Sequence, residues 1–310
     1  MKKAIKNLAL ILTASAMLCA TGCVNPASAF DHADQYTAGD FSTDSAIKEL
    51  DIDWTAGNVT VSRHNQSGIT VTETCNVELG NEQKVQTWLD GSTLHIRYCK
   101  PGVNFKLTKA KKMLEVKLPE CMELETLKCG CTSADTTLAD ISAKDFQAEV
   151  TSGALQLSGC SADNFRIAAT SGDITVDQKG ESESLQAGST SGKIRITAET
   201  VKNLNVKSTS GAADISTQQS DSVSAESTSG DETLHLKTMP ASVDVSATSG
   251  KVSLFVPQNA DFKATVDMTS GSFDSDISLK KDGTQYTAGS GNNQIKIDTT
   301  SGNVAIKAED

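Results

Sequence analysis

Eight cysteines, four histidines and 39 carboxylates are the side chains of this 310-residue sequence best able to do chemistry. His32, His64, His95 and His235 lie far apart, and no nucleophile elbow marks a Ser-His-Asp site, so all four are expected on the surface. Cys129-Gly130-Cys131 has no second close pair and no neighbouring His, which excludes a zinc knuckle. No metal and no cofactor is expected. Glycoside cleavage needs two carboxylates facing one bond, and the acids here are scattered. Six cysteines, Cys75, Cys99, Cys121, Cys129, Cys131 and Cys160, lie in residues 75–160. In an oxidising compartment an even count allows three disulfides, Cys75–Cys99 among the options. Cys129 and Cys160 fall at core positions and read as small buried hydrophobes.

The element that must position these groups is a repeat. Thr-Ser-Gly begins at Thr151, Thr170, Thr190, Thr209, Thr228, Thr248, Thr269 and Thr300, after a degenerate Thr132-Ser133-Ala134. The triplets end at Gly153, Gly172, Gly192, Gly211, Gly230, Gly250, Gly271 and Gly302. The steps are 19, 19, 20, 19, 19, 20 and 21 residues, then 31, where one coil carries extra chain or is broken. A period near twenty marks a solenoid. Five and three residues before each Thr the chain is apolar, as in Leu127/Cys129, Phe165/Ile167, Leu204/Val206, Val243/Val245 and Ile295/Ile297. Four and six residues after it, apolar residues return, as in Leu155/Leu157, Ile174/Val176, Ile194/Ile196, Val252/Leu254 and Val304/Ile306. Such alternation is that of half-buried strands. Each repeat reads as strand, Thr-Ser-Gly corner, strand and a polar return of about seven residues. Ala212–Ile215 and Asp231–Leu234 break the alternation. Gly supplies positive φ at the corner, and the triplet Ser can bond backbone there. The triplets thus form a structural corner ladder. The fold class is all-β, a parallel β-helix of 19–20-residue coils, in which no coil is stable alone. The residues after each Gly run Ala154, Asp173, Lys193, Ala212, Asp231, Lys251, Ser272 and Asn303, so no acid stack forms, and Asp173 and Asp231 read as solvated charge.

The N-terminus is a targeting segment. Lys2, Lys3 and Lys6 precede an apolar run, Leu8–Leu18, too short to span a bilayer. Ala20-Thr21-Gly22-Cys23 resembles a lipoprotein cleavage box, with Ala20 in place of the usual Leu, making residues 1–22 the signal and Cys23 the lipid attachment. Ala27-Ser28-Ala29 offers an ordinary signal-peptidase site whose product would be secreted free. Loss of residues 1–22 leaves 25 basic residues against 39 acids, a net charge of −14. That excludes nucleic acid as a partner and permits cationic ones. Residues 23–47 are polar and aperiodic and read as a tether.

Residues 48–118 lack the triplet but hold strand patterns: Leu50–Trp54, Val59–Val61, Ile69–Thr72, Thr93–Tyr98 after an Asp90-Gly91 turn, and Met113–Pro119. They are expected to be the first coils or a cap, ahead of the regular solenoid 119–310, with 48–310 one body. Ile52–Val61, Leu94-His95-Ile96, Val116–Pro119 and the Thr-Ser-Gly ladder together resemble the bacterial putative-adhesin family of β-helical envelope proteins. The resemblance implies a parallel β-helix attached at the cell envelope. Some relatives look like components of envelope stress systems that engage antimicrobial peptides, and the family brings no catalytic residues. The expected function is a lipid-anchored, non-enzymatic adhesin presenting a surface to a protein, peptide or glycan. The alternatives are a stress component engaging cationic peptides and a polysaccharide-degrading β-helix enzyme.

Overall fold

The computed structural model describes residues 31–103 and 110–309; the signal, Cys23 and the Ala27-Ser28-Ala29 site lie outside them. The described residues form 22 strands and no helix. They divide into two compact units. One holds the described residues up to Gln156 with Ala168–Gly172, the other Leu157–Ile167 with the described residues from Asp173 on.

The first unit contains β1 (Thr37–Ala38), β2 (Phe41–Thr43), β3 (Glu49–His64), β4 (Ile69–Cys75), β5 (Gln86–Asp90), β6 (Thr93–Arg97), β7 (Lys112–Pro119), β8 (Leu124–Ala139) and β9 (Ser142–Val150). β3 is the first full coil, yet it lies between later ones. On one side it pairs in parallel with β8, on the other with β6 and β7. Antiparallel strands then close the stack: β4 on β7, β5 on β6, β1 on β5 and β2 on β4. An open parallel edge invites association, and an antiparallel cover removes it. β1 and β2 correct the tether reading for residues 37–38 and 41–43, which are paired strand. Arg63 ties the outer turns together by donating to the carbonyls of Pro119, Glu120, Met122 and Asp140.

β10 (Leu155–Ala169) contributes residues to both units. The second unit continues through β11 (Ile174–Ser189), β12 (Ile194–Ser208), β13 (Ala213–Ser229), β14 (Glu232–Leu236), β15 (Ser242–Ser249) and β16 (Val252–Val256). β17 (Phe262–Ser270), β18 (Phe273–Ser275), β19 (Lys280–Asp282), β20 (Gln285–Ala288), β21 (Asn293–Ser301) and β22 (Val304–Ala308) complete it. β11, β12 and β13 stack parallel and in register, Ile174 on Ile194 on Ala213, and Leu185 on Leu204 on Val223. These ladders make the fold a parallel β-helix, as the repeat predicts. Every apolar pair named from the period is buried.

Three local expectations change. The return is not a loop: β11, β12 and β13 run unbroken through it, with a bulge between Gln178 and Glu181. Its inward polar groups bond one another, Gln178 to Ser182 at 3.1 Å and Thr217 to Ser220 at 2.9 Å. The alternation does not fail at Ala213 or Glu232, because both keep the inward phase and sit in the Ile194 column. Finally, the 31-residue step is a change of order. β21 and β22 pair with β15 and β16 on one side and with β17 and β18 on the other. The later coil is inserted beneath the earlier one, and the extra chain is the β19–β20 hairpin, antiparallel to β17.

Candidate ligand-presenting face

The corner ladder is a stack of backbones. Thr209 N donates to Ser189 O at 3.0 Å, and Ser210 N to Thr190 O at 2.9 Å. A Cβ on Gly172 would stand 1.6 Å from Gly153 O, and one on Gly211 1.8 Å from Gly192 O. Close approach of the neighbouring coil therefore demands glycine even where φ does not. Gly153, at φ +120°, needs it for both reasons. Thr151, Thr170, Thr190, Thr209, Thr228 and Thr248 are half-exposed, whereas Thr269 and Thr300 are exposed. The triplet serines are exposed, and the turn-bonding hydroxyl is the buried Ser just before the triplet. Ser189 Oγ accepts from Gly192 N at 2.8 Å, and Ser208 Oγ accepts from Gly211 N at 3.0 Å. A recurring Ser at 189, 208 and 227 was the visible signal for it. Asp173 and Asp231 are not free charges. Each accepts the backbone N–H of the next coil, Lys193 and Lys251, at 2.8 Å, as Asp135 does from Ala154.

The outward residues of the strand before each corner form rows across the second unit. One runs Ser184, Asn203, Ser222, Ser242, Gln294; the next runs Gln186, Asn205, Ser224, Asp244, Lys296. Parallel pairing sets successive members about 4.8 Å apart. Hydrogen bonds hold the first row straight: Ser184 Oγ to Asn164 Oδ1 at 2.9 Å, and Ser222 Oγ to Asn203 Oδ1 at 3.0 Å. Flanking charges are paired between coils, Lys202 with Glu183 at 2.5 Å and Lys207 with Glu226 at 3.2 Å. The result is a polar face of amides and hydroxyls, with Asp244 and Lys296 at one end, that offers hydrogen-bonding groups at each coil. Alternation in the sequence placed these residues outward, but not as one face.

Two clusters in the first unit escaped the sequence reading. Trp88 and His95 are cross-strand partners with rings stacked at 5.1 Å. Tyr36 and His32 close on Trp88 at 5.6 and 5.3 Å, fastening the entering segment to the outer face of β5. His95 Nδ1 lies 2.8 Å and Arg97 2.5 Å from Asp51 Oδ2, so His95 is not a plain surface residue. Burial pushes the Asp51 pKa up, but the charge and hydrogen bond of Arg97, with the bond from His95, outweigh it and hold the pKa low. His235 likewise stacks on Phe255 at 4.4 Å and bonds Glu309 at 2.9 Å. His64 Nε2 lies 3.0 Å from Gly68 O.

The second cluster is buried. Lys112 has no exposed side-chain surface; its Nζ lies 2.6 Å from Glu73 Oε1 and 2.7 Å from Gln83 O, and also donates to Tyr98 O. The Tyr98 and Trp54 ring centres lie 4.0 and 4.9 Å away. Burial pulls the Lys112 pKa down, against Glu73, which holds the proton on. An open cleft of about 310 Å³ lies beside it, lined by Gly39, Asp40, Glu73, Cys75, Val77, Leu79 and Lys84. All six described cysteines are free thiols, with Cys129, Cys131 and Cys160 buried. No group of three potential metal ligands occurs among the described residues.

Parallel stacking around a corner ladder defines a β-solenoid whose chemistry lies on its faces. The chain belongs to the Toastrack DUF4097 family, whose model matches residues 47–307. No curated protein matches it. It is similar to a solved putative adhesin from Parabacteroides merdae at 9% identity and TM-score 0.47, over 89% of this chain and 97% of that one. A putative adhesin from Bacteroides fragilis is 12% identical with TM-score 0.41, over 87% and 96%. A putative lipid binding protein from Parabacteroides distasonis is 13% identical with TM-score 0.40, over 88% and 97%.

Proposed function

We propose that this chain is an extracellular, envelope-attached, non-enzymatic protein that presents its solenoid face to a macromolecular partner, as an adhesin does. The observation that carries the reading is the pair of in-register rows from Ser184 to Gln294 and from Gln186 to Lys296, an exposed to half-exposed array of amides and hydroxyls that ends in the charges of Asp244 and Lys296. A polymer with its own repeat can bond to every coil, so weak contacts add along the stack. In this reading residues 1–22 are cleaved, lipid on Cys23 anchors the chain, and the segment between Cys23 and His32, where the chain packs on Trp88, is what is left of the tether.

The test is binding of the full mature chain to glycan and peptide panels at low and high salt. Asn203→Ala/Asn205→Ala should weaken capture of one neutral glycan class at least tenfold, little changed by salt. Capture confined to cationic peptides and lost with salt would replace the adhesin reading with the stress-component one. Undiminished binding by the double variant would remove the face from the account. Cys23→Ser should release the protein to the medium, and unchanged membrane retention would refute the anchor.

A further inference from the structure

The inserted coil, Asn293 to Glu309, is a full coil of the second unit whose place in the stack departs from chain order. β15 and β17 both pair with β21, and neither pairs with the other. The coil is therefore a wedge, and two parallel edges depend on it for their hydrogen bonds.

Side-chain latches hold it at both ends. At the entry Asp261 accepts from Gly291 N and, at 3.2 Å, from Asn292 N; its other oxygen takes Asn292 Nδ2 at 2.6 Å. At the exit Glu309 reaches past β16 to His235 at 2.9 Å and Lys237 at 2.8 Å. Between these latches the coil is held by ladder bonds, by Asn303 Oδ1, which accepts from Ser272 N at 3.1 Å and Ser272 Oγ at 3.0 Å, and by Ile295, Ile297, Val304 and Ile306, all buried. The connection from the covering coil, residues 276–292, includes β19, exposed at every residue, and three glycines at positive φ, Gly283, Gly289 and Gly291. Extended, its seventeen residues reach roughly 55 Å.

The slot is selective. A Cβ at Gly302 would stand 1.9 Å from Gly250 O, and one at Gly271 2.0 Å from Gly302 O. The occupant must turn on glycine at that level, with apolar side chains three and five residues before the Thr and four and six after it. The segment that meets every condition, latches included, is this coil itself, from this chain or from another copy.

We propose that Asn293–Glu309 is an exchangeable coil, and that two copies of this chain associate by trading it. Each copy then regains every ladder bond, corner contact and latch of the monomer, so the exchange costs association entropy and the rearranged connection. The kinetic barrier is opening of the latches and the ladder.

The experiment uses the full chain. Light and ¹⁵N-labelled protein are mixed at high concentration and followed by native mass spectrometry. In parallel, a fluorescent peptide of residues 289–309 is offered to the same protein, beside a peptide carrying Gly302→Val. Mixed-isotope dimers should form slowly, and the first peptide should be taken up while the second is not. Glu309→Ala should speed both processes roughly 10–100-fold, the loss of a charged hydrogen-bond anchor. Should that variant fail to fold, the wild-type peptide experiment stands alone. The proposal falls if the protein stays monomeric and takes up no peptide over the time in which the Ile295 and Ile297 amides fully exchange with deuterium. Equal uptake of both peptides would also overturn it.

Discussion

The coils from Ile174 to Ser229 and the cap strands from Ile69 to Pro119 bury their inner faces with opposite materials. In the coils the interior is aliphatic, apolar stacked on apolar, and its polar content is small hydroxyls and one amide, Gln178, bonded at the bends. In the cap the interior holds a fully buried ammonium, Lys112, caged by Glu73, two carbonyls and two rings. A coil can reuse its neighbour's solution because the neighbour presents the same surface. A cap meets the stack on one side only and must end it, so its contacts are made once. Repetition spreads stability over many weak equivalents, whereas the cap concentrates it in a few strong, mutually dependent groups.

The sharpest break of that contrast is Gly211→Val. Nothing in the stack can clear a Cβ 1.8 Å from Gly192 O, so a loss of more than ~4 kcal/mol is expected from chemical denaturation. A smaller loss would mean the corners are slack. In the cap, Lys112→Met should cost ~3–5 kcal/mol by stranding Glu73, and adding Glu73→Gln should recover most of it. If the double variant is no better than the single one, the pair is not the organising element.

Glu232 is the exception that tests the coil side. It is 1% exposed in an aliphatic column, and burial raises its pKa to about 8, partly countered by Ser227. In the unfolded chain it titrates near 4.5. Folding therefore takes up a proton between those values, and the contribution of this residue to stability falls as pH rises from about 4.5 to about 8. Relative to the parent, Glu232→Leu should be stabilised by ~3 kcal/mol at pH 7, and the advantage should shrink toward pH 4.5. A pH-independent difference would contradict the buried-acid account. The smallest effect belongs to Ser208→Ala, which deprives the buried Gly211 N–H of its acceptor and should cost ~1–2 kcal/mol in the same assay.

The coils were legible because period two and period twenty coincide. Leu204 and Val206, then Ile194 and Ile196, declare their faces without knowledge of partners. Glu232 was legible too, had phase been given precedence over polarity, since it stands two residues before Leu234. The same holds for Lys112, in phase with Leu114 and Val116. The inserted order of β21 and the antiparallel covers were not legible. Those are pairings between segments tens of residues apart, and alternation says which face is inward but not which strand lies beside which. The phase of Leu204 and Val206 implies that Asn203 and Asn205 point outward, but they become one face only when register fixes their alignment.

Register and order together are most directly tested by distances along one row. Spin labels on Gln186 paired with labels on Lys296 or on Thr265 span four and five coils in the stacking order given by the ladders. The backbone separations should be roughly 19 Å and roughly 24 Å, with Thr265 the farther. Lys296 proving the more distant would restore simple chain order. Distances that do not grow by one coil's height would contradict parallel stacking itself.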